Sequence, residues 1–297
     1  MRILHLTDTH LGARWSVDGA PRGWARAADH VAAMAAALAP ARAGEVDAVV
    51  HTGDLFDRSR PPADAVAAAR SLLGEVGAQV PVVVIPGNHE RRGLSGLLGD
   101  LPGVRVCDAP ERVVLPGVVI GAVPWVREAS AWAEAARAAV GDGVDLLLAH
   151  QAFHGVRVPG FTFRVGRPAE TVGAEHLPRG VRHVACGHLH PRQEVRVGEA
   201  RVVCAGSTER TALSEAGQTK GYAVWARAGD GWEVALVDLP ARPVVVVGSD
   251  ADLERVVPGA LVRCDEPFGG PLAQAAHARG GWILPRRGQL PLFPRAR

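Results

Sequence analysis

The sequence predicts an α/β fold in which two β-sheets pack together between flanking helices, followed by a short C-terminal accessory unit. Three observations support this prediction. Short β-branched runs alternate with alanine-rich helical patterns in the first third of the chain, strands follow one another closely after residue 104, and the pattern restarts after Pro240. The chain has 297 residues, of which 47% are hydrophobic and 22% charged, so it can build one large or two small domains.

The first third of the chain predicts three strands and two helices. The strands are expected at 2–6, 46–51 and 80–85, and the helices from about Gly23 and about Pro62. The first helix has an apolar residue at every third or fourth position, which predicts one face packed on a sheet. That face consists of Trp24, Ala28, Val31, Ala35 and Leu38.

The remainder of the chain is richer in strands. Strands are expected at 104–107, 112–115, 118–123 and 144–149, with a helix near 128–140 and a strand-rich stretch over 183–239. After Pro240, the pattern predicts a strand at 244–247, a helix at 250–257 and a strand at 260–264. The resulting division is a main domain at 1–240, an accessory unit at 241–280 and a flexible tail at 281–297.

The net charge of +2 is unevenly distributed. Residues 151–196 contain seven Arg and three Glu, and residues 281–297 contain four Arg and no acid, so each stretch carries +4 and the rest −6. Carboxylates suit a divalent metal and arginines suit a polyanion, so this division is typical of an enzyme of phosphate esters. A solvated basic face would give the same pattern. Lys220 is the only lysine.

Several function classes find no support in the sequence. No apolar run is long enough to span a bilayer, and the N-terminus shows a strand pattern instead of a secretory signal, so a cytoplasmic protein without a membrane partner is expected. Neither a nucleotide-binding P-loop nor a G-x-S-x-G nucleophile motif occurs. Because no C-x-x-C pair occurs, the cysteines are expected to be buried apolar residues. They are Cys107, Cys186, Cys204 and Cys264.

Polar motifs follow five predicted strands at the points where those strands end, which is where α/β proteins place their sites. They are Asp8-Thr9-His10, Gly53-Asp54, Gly87-Asn88-His89-Glu90, His150 and Gly187-His188-Leu189-His190. Each motif alone is a common turn, but the candidate ligands in the set are two carboxylates, one carboxamide and four imidazoles. These could hold two metal ions about 3.5–4 Å apart, with Asp54 as the bridge. The other histidines are expected to be structural or on the surface. They are His5, His30, His51, His154, His176, His183 and His277.

In this order and spacing, the motifs resemble those of the calcineurin-like metallophosphoesterase superfamily, whose fold is a two-sheet sandwich with flanking helices. The resemblance covers about residues 1–240, which are therefore the expected catalytic domain. Three further segments are similar to those of SbcD-type DNA repair nucleases. They are Leu6-Thr7-Asp8-Thr9-His10-Leu11-Gly12, Gly53-Asp54-Leu55-Phe56-Asp57, and Ala205-Gly206-Ser207-Thr208 together with Lys220-Gly221-Tyr222.

The resemblance implies a role for each matching residue. One metal would be held by Asp8, His10, Asp54 and His190, and the other by Asp54, Asn88, His150 and His188. His89 would protonate the leaving oxygen after water attacks phosphorus, and Asp57 would orient and charge His89. Manganese is the expected ion, with iron and zinc as alternatives.

Substrate and partner contacts are expected in three places. Arg210 and Ser207 could position a phosphate backbone, although a turn salt bridge would use the same residues. Arg157, Arg164 and Arg167, with Phe161 and Phe163 between them, could line a nucleic-acid track or form a loop over a buried Phe pair. Gln289, Leu290, Leu292 and Phe293 resemble the peptide by which bacterial repair proteins bind the sliding clamp, or could fold back onto the main domain.

The leading hypothesis is a two-metal phosphodiesterase that hydrolyses DNA in repair. One alternative is a phosphoesterase of small substrates, either 2′,3′-cyclic nucleotides or phosphomonoesters, because the superfamily uses the same metal core for both. Another is a metal-containing module that binds DNA ends or the clamp. SbcD-type proteins have a longer region after the catalytic domain that binds the ATPase SbcC, so an SbcC-like partner is not expected here.

Overall fold

The computed structural model describes residues 1–14, 26–90, 93–158, 168–266 and 269–284. Within these ranges the chain forms 17 strands, which make two six-stranded sheets and two small ones. In chain order the strands are β1 (Arg2–Leu6), β2 (Ala48–His51), β3 (Val82–Val84), β4 (Val104–Val106), β5 (Glu111–Leu115), β6 (Val118–Val123), β7 (Leu146–His150), β8 (Ala152–Phe153), β9 (Thr171–Val172), β10 (His183–Gly187), β11 (Gln193–Val197), β12 (Ala200–Cys204), β13 (Lys220–Ala228), β14 (Gly231–Leu239), β15 (Val244–Val247), β16 (Leu261–Cys264) and β17 (Trp282–Ile283).

Six helices accompany these strands within the described ranges. They are α1 (Arg26–Ala37), α2 (Ala39–Arg42), α3 (Ala63–Gly77), α4 (Ser95–Leu98), α5 (Ala129–Val140) and α6 (Pro271–Ala278). Short 3-10 turns occur at 168–170, 174–176, 213–215 and 250–255. None of the described helices has the length and apolarity that a membrane span requires.

The two large sheets combine parallel centres with antiparallel edges. The first has the strand order β14-β13-β1-β2-β3-β4, and the second β11-β12-β10-β7-β6-β5. Strands β1 to β4 are mutually parallel, as are β6, β7, β10 and β12. Because parallel neighbours end at the same edge of a sheet, the polar motifs that follow them are brought together. The predicted two-sheet α/β class is therefore confirmed.

The sandwich core lies between the two sheets. Alternation along each strand sends one face inward: Ile3 and Val50 belong to the inter-sheet core, whereas Leu4 and Val49 face the outer layer of α1 and α3. Strands buried on both faces are apolar throughout, as in the Leu-Leu-Leu-Ala run of β7. Trp225 is fully buried in the inter-sheet core and lies edge-on to Trp232 at 6.5 Å between ring centroids.

The helix predictions near Pro62 and Glu128 are confirmed by α3 and α5, which begin one residue after these positions. The buried residues of α3 recur at intervals of three or four along one face. They are Ala65, Ala69, Leu73 and Val76. The four cysteines are buried, as predicted.

The predicted apolar face of the first helix is confirmed only in part: Leu38 is buried and Val31 packs against the same core. Ala28 is exposed, and the buried face of α1 instead carries Arg26 and His30 together with Ala33, Met34 and Ala37. Because alanine occurs on both faces of this helix, its positions do not indicate which face is buried. The two polar residues can be buried because Asp29 and Glu209 pair with Arg26 and the carbonyl of Thr9 contacts Nδ1 of His30. Trp24 and the predicted helix start at Gly23 lie outside the described residues.

The accessory unit is a three-stranded parallel sheet in the order β15-β16-β17, covered by α6. The predicted helix at 250–257 is a 3-10 turn at 250–255, and α6 was not predicted. The predicted tail begins too early, since Trp282 and Ile283 pair with Leu261 and Val262. Ile283 is only 1% exposed, so the energy of burying it keeps this segment in the sheet.

Candidate metal centre

The polar loops after β1 and β2 are joined to each other by backbone hydrogen bonds. The amide of Asp8 donates to the carbonyl of Gly53, and that of His10 to the carbonyl of Asp54, both at 3.0 Å. Leu11 and Phe56 continue this contact as an isolated parallel bridge. The two loops therefore extend past the sheet edge as one unit that carries Asp8, His10 and Asp54.

Backbone strain is concentrated in the predicted ligands. Among the described residues, the only non-glycine residues with positive φ are Asp8 at 49°, His10 at 45°, Asp54 at 53° and His188 at 88°. This left-handed region costs an L-residue about 1–3 kcal/mol and persists where the surroundings enforce it. All four belong to the metal-binding set implied by the resemblance.

Three glycines allow the loops to approach one another closely. A Cβ on Gly87 would collide with Oδ1 and the backbone nitrogen of Asp54, and a Cβ on Gly53 would collide with Nδ1 of His150. A Cβ on Gly187 would collide with Thr7. Glycine is therefore needed at these positions for the ligand loops to pack.

One group of predicted ligands surrounds His10. Its Nε2 lies 3.1 Å from Nε2 of His190 and 3.9 Å from Oδ2 of Asp54. Oδ1 of Asp8 is 3.8 Å from Nε2 of His190. These are the four residues that the resemblance assigns to the first metal, and the structure brings them together.

The second group surrounds His150. Its Nε2 lies 3.3 Å from Oδ2 of Asp54 and 3.1 Å from Oδ1 of Asn88. The same Asn88 oxygen is 2.7 Å from Nδ1 of His188. Asp54 thus lies between the two groups, in the bridging position expected from the sequence.

The hydrogen-bonding pattern of these groups fits a divalent cation. In the neutral ring of His150, Nδ1 donates to the carbonyl of Thr52 at 2.6 Å, so Nε2 presents a lone pair towards the oxygens of Asp54 and Asn88. In the same way, Nδ1 of His190 donates to Glu215 at 2.6 Å, and its Nε2 lone pair faces His10. Acceptors that converge at 3–4 Å repel each other unless a cation lies among them. Sets of three such ligand atoms lie within 4.8 Å of one another.

The electrostatics of the site keep its central carboxylate ionised and shift the pKa values of its histidines in both directions. Burial lowers the pKa of His188 to about 3 and holds the pKa of His10 well below its usual range. Burial opposes ionisation of Asp54, but His150 and His10 outweigh it and lower the pKa of that carboxyl. Burial also opposes protonation of His150 and His190, yet Asp54 and Asp8 raise the pKa of His150 to about 9, and Glu215 and Asp8 raise the pKa of His190. An ionised carboxylate and neutral imidazoles are the forms that bind metals.

His89 lies at the open side of the site. Its side chain is 36% exposed, whereas those of His10 and Asp54 are 2% and 3% exposed. Nδ1 of His89 contacts the backbone carbonyl of Asp57 at 2.6 Å, and Nε2 is 3.8 Å from Oδ2 of Asp54. The carboxylate of Asp57 instead has Oδ1 3.7 Å from Nδ1 of His10. His89 and Asp57 are in contact as expected, but through the backbone carbonyl of Asp57 and not through its carboxylate.

Arg210 and Ser207 make contacts other than the predicted phosphate contacts. The guanidinium of Arg210 donates to the carbonyls of Glu215, Gln218 and Arg242 at 2.8–3.2 Å. Ser207 is fully buried, and its hydroxyl accepts from Nζ of Lys220 at 2.7 Å. Both residues hold the loop between β12 and β13 in place, because their polar atoms are used by that loop, by Lys220 and by the carbonyl of Arg242.

The remaining substrate and partner predictions lie mostly outside the described residues. This applies to Phe161, Phe163, Arg164, Arg167, Gln289, Leu290, Leu292 and Phe293. Arg157 is described and exposed, and its amide donates to Oε1 of Gln193 at 2.8 Å. Gln193 thereby ties the start of the predicted nucleic-acid track to β11.

Sequence reasoning gave two site residues no individual role. The carboxylate of Glu90 accepts from the backbone amides of Phe56 and Gly87, and so joins the loops after β2 and β3. Burial raises the pKa of Glu90 to about 7. Glu90 stands in the Gly-Asn-His-Glu motif, which was the available signal. Glu215, which contacts His190, stands in a turn whose sequence gave no such signal.

Comparison with known proteins agrees with this geometry. The family model of the calcineurin-like phosphoesterases matches residues 1–192. The chain belongs to the calcineurin-like phosphoesterase family. This phosphoesterase is 30% identical over 271 residues to the DNA double-strand break repair protein Mre11 of Methanosarcina mazei, a match that covers 86% of the chain and 40% of that protein.

Two further similarities extend the comparison. The phosphoesterase is 28% identical to the SbcD component of the nuclease SbcCD of Bacillus subtilis, over 75% of the chain and 66% of that protein. The structure of TT1561 of Thermus thermophilus has a TM-score of 0.51 and 16% identity, with coverage of 79% of this chain and 98% of that one, so the fold is shared. The phosphoesterase spans about two fifths of the length of its Methanosarcina relatives. The predicted resemblance to this superfamily is confirmed.

Proposed function

We propose that this phosphoesterase is a two-metal-dependent phosphodiesterase that cleaves DNA during repair. The observation that carries the proposal is the convergence of seven predicted ligands, with Asp54 between two groups of nitrogen and oxygen acceptors. Such a bridged pair of sites is typical of enzymes that hydrolyse phosphate esters. DNA is the proposed substrate because similar proteins bear the names of a double-strand break repair protein and a nuclease.

The first ion would be held by Asp8, His10, Asp54 and His190, and the second by Asp54, Asn88, His150 and His188. When bound, the ions would activate water and neutralise charge on the phosphoryl group. The mixture of carboxylate, carboxamide and imidazole ligands favours manganese, with iron and zinc as alternatives.

His89 would protonate the leaving oxygen. The carbonyl of Asp57 accepts from Nδ1 and fixes the ring, so Nε2 can hold a proton at the exposed side of the site. A positioned imidazole of this kind contributes about 10²–10⁴-fold to the rate. Asp57 therefore serves through its backbone, and its carboxylate lies between His10 and the solvent-exposed Arg58.

The test is hydrolysis of end-labelled single- and double-stranded DNA, beside bis-p-nitrophenyl phosphate, after manganese is added to metal-stripped protein. Asp54→Ala should bind no metal and cleave nothing, whereas His89→Ala should keep its metal and lose most turnover. Cleavage of the small ester alone would refute DNA as the substrate and favour cyclic or terminal nucleotide phosphates. A KM for DNA that rises steeply with salt would support backbone contacts by arginines.

We further propose, from the sequence, that Gln289-Leu290-Pro291-Leu292-Phe293 binds the bacterial sliding clamp. The peptide would bind extended, with Leu292 and Phe293 as apolar anchors. A fluorescent peptide of residues 284–297 should bind the clamp, and Leu292→Ala with Phe293→Ala should abolish this. Absence of binding at tens of micromolar would refute the proposal. A DNA substrate and a clamp partner both correspond to a cytoplasmic protein.

A further inference from the structure

Glu215 lies directly behind a predicted metal ligand and is 5% exposed. Its Oε1 is 2.6 Å from Nδ1 of His190 and 2.8 Å from the hydroxyl of Thr211. A carboxylate only accepts hydrogen bonds, so the proton of the neutral His190 ring must reside on Nδ1. Nε2 then carries the lone pair, and it is Nε2 that faces Asp8 and His10.

The second oxygen of Glu215 is held by two donors. Oε2 accepts from Nζ of Lys220 at 2.7 Å and from the amide of Thr211 at 3.0 Å. Both donors act on the same oxygen, so the carboxylate cannot rotate away from His190 without losing them. Glu215 is therefore fixed in the orientation that directs Oε1 to the imidazole.

Lys220 is the only lysine among 33 basic Lys and Arg residues, and it is 1% exposed. Its three N–H groups have three acceptors: Ser207 Oγ at 2.7 Å, Glu215 Oε2 at 2.7 Å and Gln218 Oε1 at 3.0 Å. A compact ammonium matches this arrangement, whereas a planar guanidinium with five donors would not. Lys220 thus compensates the buried charge of Glu215.

The segment that carries Glu215 is fastened by Arg210. The guanidinium donates to the carbonyls of Glu215 and Gln218 and, on its other side, to that of Arg242 in the linker to the accessory unit. Arg242 in turn donates to both carboxylate oxygens of Asp29 at 2.6 and 2.7 Å. The loop behind His190 is therefore tied to both α1 and the accessory unit.

We propose that Glu215 is a positioning residue that fixes the tautomer and orientation of His190 for metal binding, with Lys220 as its buried counter-ion. This inference rests on the metal centre of the proposed function. Metal-bound histidines commonly donate their other ring N–H to a carboxylate, and loss of that partner typically weakens metal binding by about 10–100-fold. Here the carboxylate comes from a loop 25 residues away from the ligand it orients.

Glu215→Gln is the decisive variant, because Lys220 and the Thr211 amide would select the orientation of the carboxamide. Its oxygen must face these two donors, so its NH₂ group would donate to Nδ1 of His190. The ring proton would then move to Nε2 and point at the metal. Glu215→Asp keeps the charge beside Lys220 but withdraws the carboxylate from His190, so it tests the same contact if the Gln variant does not fold.

Metal affinity is measured by calorimetric titration of Mn²⁺ into metal-stripped protein, and both variants should bind about 10–100-fold more weakly than wild type. Asp145→Asn is the matched control. This carboxylate pairs with Arg227 and accepts from the Val119 amide, but it precedes β7, at the opposite end from the metal centre. It should leave Mn²⁺ affinity unchanged. Wild-type affinity in both Glu215 variants would overturn the proposal.

The tautomer gives a readout that a merely structural ion pair would not change. In metal-free protein at alkaline pH, where the His190 ring is neutral, long-range ¹H–¹⁵N spectra should show it protonated at Nδ1 in wild type and at Nε2 in Glu215→Gln. The resonance is assigned by its loss in His190→Gln. Nδ1 protonation in both proteins would overturn the proposal. If wild type cleaves neither DNA nor small esters, but the Glu215 variants show the expected change in His190 protonation and in Mn²⁺ affinity, the proposed function fails and the role of Glu215 stands.

Discussion

Gly87 provides the sharpest test of how the metal centre is built, because its hydrogen atom occupies the space where any other residue would place a Cβ. That Cβ would overlap both Oδ1 and the backbone nitrogen of Asp54. Hydrogen bonds hold both the side chain and the backbone of Asp54 in place. Oδ1 accepts from the His89 amide at 2.9 Å, and the backbone carbonyl of Asp54 accepts from the His10 amide at 3.0 Å. Gly87→Ala must therefore displace Asp54, the proposed bridging ligand, or its loop.

The expected cost follows from the rigidity of this contact. Overpacking of a well-packed interior costs about 1–3 kcal/mol. At roughly 2–4 °C per kcal/mol for a protein of this size, the melting temperature should fall by about 2–12 °C. Displacement of Asp54 also spoils both groups of ligands at once, so Mn²⁺ affinity should fall by at least about tenfold.

The assay is differential scanning calorimetry of metal-free protein, together with Mn²⁺ titration. Gly96→Ala is the matched control, since Gly96 lies in α4 and an added Cβ there would meet nothing within 4 Å. The stability of this variant should equal that of wild type or exceed it by up to about 1 kcal/mol, because alanine gives the unfolded chain fewer backbone conformations than glycine does. If Gly87→Ala has the melting temperature and the Mn²⁺ affinity of wild type, the close packing of Gly87 on Asp54 does not fix the position of Asp54.

Three further predictions test separate parts of the structure. Trp225→Ala should destabilise the fold by about 3–5 kcal/mol in chemical unfolding, since the side chain is fully buried between the sheets; a cost below about 1 kcal/mol would contradict this core. Asp57→Asn should keep turnover within about tenfold of wild type because the carbonyl remains, whereas His89→Ala should lose about 10²–10⁴-fold; equal losses would show that the carboxylate is required. Arg210→Ala should destabilise the protein by about 1–3 kcal/mol while DNA affinity stays unchanged, because three carbonyls lose their donor; weaker DNA binding at unchanged stability would restore its predicted substrate role.

The tertiary structure corrected the sequence-based prediction where partners come from distant segments. The buried face of α1 contains Arg26 and His30, because Asp29 and Glu209 pair with the guanidinium of Arg26 and the carbonyl of Thr9 contacts Nδ1 of His30. Polar residues with such partners can be buried, but a search for apolar periodicity assigns them to the surface. Likewise, Trp282 and Ile283 look like part of a tail until β16 provides a strand to pair with.

The functional assignments divide in the same way. The sequence by itself determined the fold class and singled out the seven residues that the structure brings together around Asp54. It could do so because strand periodicity and the motifs at strand ends are local patterns, which can be recognised without knowledge of tertiary contacts. Only the tertiary structure decided that the carbonyl of Asp57 contacts His89, that Arg210 binds backbone carbonyls, and that Glu215 orients His190. These are contacts between loops, and a loop's contacts depend on how whole sheets pack, which no short window of sequence records.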